Sequence, residues 1–211
     1  MRNHEQVALP SLALALHELR GPLGFVASAA RLMAGDAESQ LLRDQCTRIE
    51  RAATRMMVTA RTVLSAAAEA PADTSECDLA TSLSAVVEDM RWMGFSVELS
   101  LPPGPLPVCS AAEEFESLIA SFLLNAGDHG DLAHPVKVTV HRGENALHVT
   151  IRNRCCAVPR HRGHGLGSLV VARLAARIGA TVSAFERDGW FTATVALPSA
   201  AEHVSSESTF F

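Results

Sequence analysis

Long apolar runs, paired cysteines and aromatic side chains are all scarce in this 211-residue chain. No stretch approaches the ~18 consecutive apolar residues of a membrane-spanning helix, so no membrane partner is expected. The segment Met1-Arg2-Asn3-His4-Glu5 lacks the apolar core of a signal peptide, and the expected location is cytoplasmic. The five cysteines (Cys46, Cys77, Cys109, Cys155 and Cys156) are odd in number and contain no Cys-x-x-Cys spacing. They read as reduced thiols, with no zinc site. A net charge of -5 gives no electrostatic reason to bind nucleic acid. Aromatic residues make up only 5% while alanine is abundant, a composition that suits closely packed helices.

What is present is heptad periodicity. Leu9, Leu12, Leu16, Leu19, Leu23, Val26, Ala30 and Met33 recur at alternating spacings of three and four, the a/d pattern of a helix in a bundle. After Gly35-Asp36 a second helix is expected from near Glu38, with Leu42, Cys46, Ile49, Ala53, Met56, Ala60, Val63 and Ala67 as its seam. A hairpin of two such helices cannot bury both stripes alone. A second copy would close a four-helix bundle, so a homodimer is expected; the alternative is packing on the chain's own C-terminal half.

Within the first helix stands Leu16-His17-Glu18-Leu19-Arg20-Gly21-Pro22-Leu23. His17 follows an a/d leucine, which puts its ring at the rim of the seam. Pro22 has no amide hydrogen and leaves the Glu18 carbonyl unpaired, so the helix is expected to bend just past the histidine.

Beyond the polar, proline-containing segment near Pro71 the pattern changes to mixed α/β. A helix is expected over 78–93, with Asp78 as its N-cap, then a strand over 96–101 ended by Pro102-Pro103-Gly104-Pro105. A further helix is read over 111–126, strands over 136–141 and 147–153, and a helix over 166–178. A closing hairpin, 181–185 and 191–197, turns at Asp188-Gly189. The tail from Ser199 is rich in Ser and Glu and reads as frayed, with Phe210-Phe211 as a candidate docking element.

Three boxes in this order resemble the histidine kinases of two-component signalling. His17, Glu18, Arg20, Pro22 and Leu23 match the phosphoacceptor box; Phe122-Leu123-Leu124-Asn125-Ala126 with His129 resembles the asparagine box; Gly163-His164-Gly165-Leu166-Gly167 looks like the second glycine box. The resemblance covers roughly residues 9 to 198. It implies an α+β chain, with an antiparallel helical hairpin over 1–70 for dimerisation and phosphotransfer. A linker over 71–76, a kinase-type ATP-binding α/β sandwich over 77–198 and a tail over 199–211 complete the expected organisation. It further implies nucleotide contacts from Asn125, Asn153, Gly163, Gly165, Leu166 and Gly167, with Asn125 holding magnesium. Glycines admit close approach of backbone amides to phosphate oxygens, and a helix N-terminus adds a favourable dipole.

Departures from the family pattern lie around the nucleotide. Asn153 replaces the aspartate expected to accept from the adenine amino group, a neutral substitute worth about 1 kcal/mol less. Cys155 and Ala157 replace two glycines, at ~1–3 kcal/mol if positive φ is required there. Asp128 replaces a basic residue, and at ~4 Å from a phosphate charge would oppose it by ~4 kcal/mol at an effective dielectric of ~20. Three residues, Arg160, His161 and Arg162, stand where a lid is usual. Against these changes, Arg154, Arg160, His161, Arg162 and His164 form a basic cluster beside the glycine box.

The leading expectation is a phosphorelay protein that accepts and passes a phosphoryl group through His17, with Glu18 and Arg20 assisting. Response-regulator receiver domains, and an upstream hybrid kinase, are the implied partners. No cofactor is required of this chain, since the receiver supplies magnesium. An ATP- and magnesium-dependent kinase is the alternative, and a non-catalytic dimeric adaptor the second. Gly21 stands where related kinases carry the Thr or Asn that positions water, so little phosphatase activity is expected.

Overall fold

The computed structural model describes residues 19, 23–36, 39–68, 75–156 and 166–198, the side chains of Cys109, Asp128 and Leu166 excepted. These residues fall into two compact units: a helical unit, which ends at Ala68 and includes Trp92–Gly94, and an α/β unit built from the rest.

Helix α1 (23–36) and helix α2 (Gln40–Ala67) form the helical unit. A Cβ on Gly24 would lie 3.9 Å from the Met57 sulfur, and Arg31 donates through Nε to the carboxylate of Glu50. These two contacts fix an antiparallel hairpin. One row of the heptad seam is interior: Ala30, Cys46, Ala53 and Ala60 are at most 4% exposed. The other row is not. Leu19, Val26 and Met33 on one side, and Leu42, Ile49 and Met56 on the other, are each between 42% and 56% exposed at intervals of seven residues. The sequence stripe is therefore split: Ala30, Cys46, Ala53 and Ala60 close the hairpin, while the second row is exposed as far as Met56 and turns inward at Val63, 3% exposed.

In the α/β unit, β1 (Glu76–Asp78) and β3 (Pro107–Cys109) make a two-stranded antiparallel sheet. Asp78 accepts at Oδ1 from the Leu106 amide and at Oδ2 from the Thr81 hydroxyl. It also accepts from the backbone amides of Ala80 and Thr81, which caps helix α3 (Leu79–Trp92) where β1 ends. Because β1 begins at Glu76, the last residue read as linker is already paired.

The main sheet has five strands: β2 (Val97–Ser100), β4 (Val136–Arg142), β5 (Ala146–Arg154), β6 (Thr181–Arg187) and β7 (Trp190–Pro198). Their order is β2-β4-β5-β7-β6, with β2 parallel to β4 and every other pair antiparallel. Asp188 (φ 53°) and Gly189 (φ 72°) both take left-handed backbone between β6 and β7, the requirement of a tight twisted hairpin turn.

One face of the sheet carries buried Val138, Val140, Val149, Ile151 and Val195. Helices α3, α4 (Ala112–His129) and α5 (Leu166–Arg177) supply Leu83, Val87, Phe115, Ile119 and Leu174 to the same core. Helix α4 corrects the sequence reading at its end. It continues through Gly127 to His129, and Gly130 is its cap. Gly127 is needed for packing, since a Cβ there would lie 1.9 Å from the Phe95 ring.

Candidate nucleotide-type site

Alternation along β5 sends Leu147, Val149, Ile151 and Asn153 to the helix-covered face, and Arg152 and Arg154 to the opposite one. Asn153 thus ends an otherwise aliphatic row as a buried amide, 5% exposed. Its Nδ2 donates to the Arg154 carbonyl at 3.2 Å. Its Oδ1 is buried and has no hydrogen-bond partner among the described residues. A buried acceptor left unmet costs ~1–3 kcal/mol, so the position is built to receive a donor.

The end of α4 is laced to the end of β5 by backbone bonds. Gly130 bridges Cys155; the Asp131 amide donates to the Arg154 carbonyl at 2.8 Å, and the Cys156 amide to the His129 carbonyl at 3.0 Å. Gly130 is there for space: a Cβ would lie 2.2 Å from the Ala126 carbonyl oxygen and 3.1 Å from Asn153 Nδ2. Cys155 also donates its amide to the Gly189 carbonyl. Among the described residues Asp188 alone, of the non-glycines, has positive φ. Cys155 therefore occupies ordinary backbone, and the strain anticipated from losing a glycine does not arise there. Burial first, and then the Glu186 carboxylate beside it, push the Cys155 thiol pKa up. The loop after α4 holds Asp131, whose carboxyl is kept below its ordinary range chiefly by the Ala133 amide and also by His134.

Asn125 is half-buried on α4, one turn before the helix cap, in the same unit as Asn153. Leu166 and Gly167 open α5. The α5 end is tied to α4 by Arg177, whose guanidinium donates to Glu114 at 2.8 Å. This arrangement offers a buried amide acceptor, a second amide on the site helix and a helix N-terminus to one ligand class. A base bearing an exocyclic amino group would satisfy Asn153 Oδ1, and the Asn125 amide oxygen suits a hard divalent cation.

His17, Glu18, Arg20, Gly163 and Gly165 lie outside the described residues, as do Ala157, the basic residues over 160–164 and the Asp128 side chain. Sequence reading missed one feature here. Trp190 at the start of β7 carries the Arg152 guanidinium 4.3 Å from its ring centroid and the Arg154 guanidinium at 5.6 Å. Only the register Arg154↔Trp190 brings them together, and register is not legible from residues 36 positions apart.

No family model matches the sequence, and no curated protein is a significant sequence match. Solved structures do match in fold. The histidine kinase AdeS of Acinetobacter baumannii has a TM-score of 0.53 at 14% identity, over 87% of this chain and 98% of that one. Full-length ShkA, solved with AMPPNP, gives 0.54 at 21% identity over 90% of this chain and 46% of that one. The cytoplasmic segment of the histidine kinase QseC gives 0.51 at 20%, over 70% of this chain and 93% of that one. The shared architecture is a helical hairpin followed by an α/β sandwich. Among the described residues no helix is long and apolar enough to cross a membrane.

Proposed function

We propose, for a chain folded as the histidine kinases are folded, that it relays a phosphoryl group through His17 to or from the aspartate of a receiver domain. The observation that supports this most is the exposed heptad face of the hairpin, whose first helix follows the His17 box in sequence. A second copy covering that face makes a four-helix bundle, with the histidine at its rim. The sandwich supports the relay reading by what it lacks: Asn153 is neutral where a charge-assisted acceptor would bind a nucleotide more tightly.

In the transfer, an unprotonated ring nitrogen of His17 attacks the phosphorus of the receiver's aspartyl phosphate. The P–N bond forms, the P–O bond to the acyl oxygen breaks, and the receiver's carboxylate leaves. An ordinary imidazole, with a pKa near ~6.5, is mostly neutral at cytoplasmic pH. Glu18 orients the ring or accepts its remaining proton, and Arg20 offsets phosphate charge. Magnesium comes with the receiver. Attack by a second receiver's aspartate reverses the bond changes and restores the neutral ring.

The second reading, an ATP-dependent histidine kinase, is favoured by one feature, the buried and unmet Oδ1 of Asn153. ATP with magnesium would supply the phosphoryl group, with Asn153 at the base and Asn125 at the cation. A dimeric adaptor without phosphoryl chemistry is the third. The test is labelling of the purified chain from a receiver carrying radioactive aspartyl phosphate, beside labelling from radioactive ATP with magnesium. The relay reading expects label from the receiver, none from ATP, and none on a His17→Gln chain. Label from ATP establishes the kinase; no label from either source leaves the adaptor.

A further inference from the structure

The two outer strands of the main sheet treat their free edges differently. Strand β2 has only four residues, and Pro102-Pro103 soon after it bar its extension. The Val136 amide of β4 bonds the Ser96 carbonyl, which leaves the Val97 carbonyl facing outward; that carbonyl accepts twice from Arg91, at 3.1 and 2.9 Å. Strand β6 has none of these protections. It is seven residues long, contains no proline or lysine, and among the described residues pairs only with β7, in register over its whole length. Every residue of it but Val182 is exposed. Ala184 and Glu186 are exposed although they lie on the helix-bearing face, so α5 does not overhang the edge. The charges near this edge are engaged within the chain. Glu186 is turned onto its own sheet beside the Cys155 thiol, and Arg187 lies 3.5 Å from Asp188 at the turn.

We infer that β6 is a self-association edge, to which β6 of a second copy adds antiparallel about a two-fold axis at Ala184. Backbone register carries the assignment. Asp188-Gly189 is a two-residue turn, so its closing pair Arg187↔Trp190 is hydrogen-bonded, and alternation bonds Phe185, Ser183 and Thr181 to β7 as well. Val182, Ala184 and Glu186 therefore turn their amides and carbonyls outward. With the axis at Ala184 these three meet their own counterparts. Ala184 opposes Ala184 of the second copy and Val182 opposes Glu186 on either side, each pair exchanging two hydrogen bonds. Moving the axis one residue loses a pair. At Phe185 it sets Val182 against Asp188, whose φ of 53° lies off the strand, and at Ser183 it sets Glu186 against Ala180, before the strand begins. The side chains agree with Ala184: no like charges are opposed. Phe185, 55% exposed, gains Ser183 of the second copy opposite and Phe185 of the second copy on the diagonal. A seven-residue edge buries less than a standard stable interface, so this pairing belongs to concentrated solution. It joins α/β units and does not depend on the hairpin pairing proposed above. A chain with both self-complementary surfaces assembles beyond the pair.

The test is sedimentation of the full chain carrying Ile49→Glu, which removes the hairpin face, over a concentration series. The inference expects the mass to climb toward that of two chains as concentration rises. Adding Ala184→Lys or Ala184→Glu should hold the mass at one chain, because like charges then face each other across the axis. Mixing the Lys and Glu chains in equal amounts should restore association. Ala184 is exposed, so neither substitution disturbs the single chain. Amide exchange in the unaltered chain gives an independent arm, read residue by residue. Val182, Ala184 and Glu186 should slow about ten-fold from dilute to concentrated solution, while Ser183 and Phe185, already bonded to β7, stay constant. Exchange at those three amides that ignores concentration overturns the inference, as does a mass of one chain at every concentration. Association that survives either charge at position 184 overturns it in favour of another surface.

Discussion

Arg177 on α5 donates to Glu114 on α4 at 2.8 Å, with both side chains about 15% exposed. The bond crosses between the two helices that frame the candidate nucleotide site. Arg177→Ala is expected to lower stability by ~1.5–3 kcal/mol, the range for a partly buried charge-assisted bond that leaves a carboxylate behind. Glu114→Gln should cost less, since an amide oxygen still accepts. Thermal unfolding of the two variants checks the order.

Phe95 and Gly127 make a second paired dependence. A methyl group at position 127 meets the ring at 1.9 Å, so Gly127→Ala should destabilise by ~1–3 kcal/mol through overpacking. Phe95→Leu should relieve part of that cost, giving a non-additive double mutant. Denaturant midpoints of the two single variants and the double measure the coupling. Additive effects would place the ring elsewhere.

The uncovered heptad face leads to a test of the bundle proposal. Ile49 is 49% exposed in one copy and would be interior in a pair. Ile49→Glu should convert the chain to monomer in sedimentation, where the unaltered chain runs as a dimer. Arg48→Glu, one residue away and off the seam, should leave the mass unchanged.

Asp78 sets an acid-side limit on the small sheet. Its carboxyl pKa is lowered, first by the Leu106 amide and then by the Thr81 hydroxyl. A folded value below the unfolded one stabilises the protein above the ordinary carboxylate range, and that contribution fades as pH falls through the folded value. Asp78→Asn should therefore lower the melting temperature at neutral pH and flatten its decline between about pH 5 and 2. The effect will be modest, because the group is solvent-exposed.

Much of the sandwich was legible because its strands are long enough to alternate and Asp188-Gly189 announces its turn. The three-residue strands β1 and β3 were not: neither is long enough to show a period, and Asp78 reads equally as a helix cap, which it also is. Helix α4 was cut short at Ala126, because Gly127 looks like a stop in sequence and becomes a packing contact only once Phe95 is placed. Asn125 and Asn153 stand out in sequence only through the resemblance of their segments to the kinase boxes. The pairing of Trp190 with Arg152 and Arg154 has no such signal, since it is created by strand register. The hairpin seam was right in period, but period does not say which half of it the partner helix covers: Ala30, Cys46, Ala53 and Ala60 lie inside, and of the other row Val63 lies inside while Leu42, Ile49 and Met56 do not.

The parallel pairing of β2 with β4 has an evolutionary corollary. Two parallel neighbours require a crossover, and here the crossover contains α4, the helix that bears Asn125. Removing the helix would sever the sheet at Val97↔Val136. Any sequence that keeps this sheet must therefore keep that helix, whichever side chains it displays.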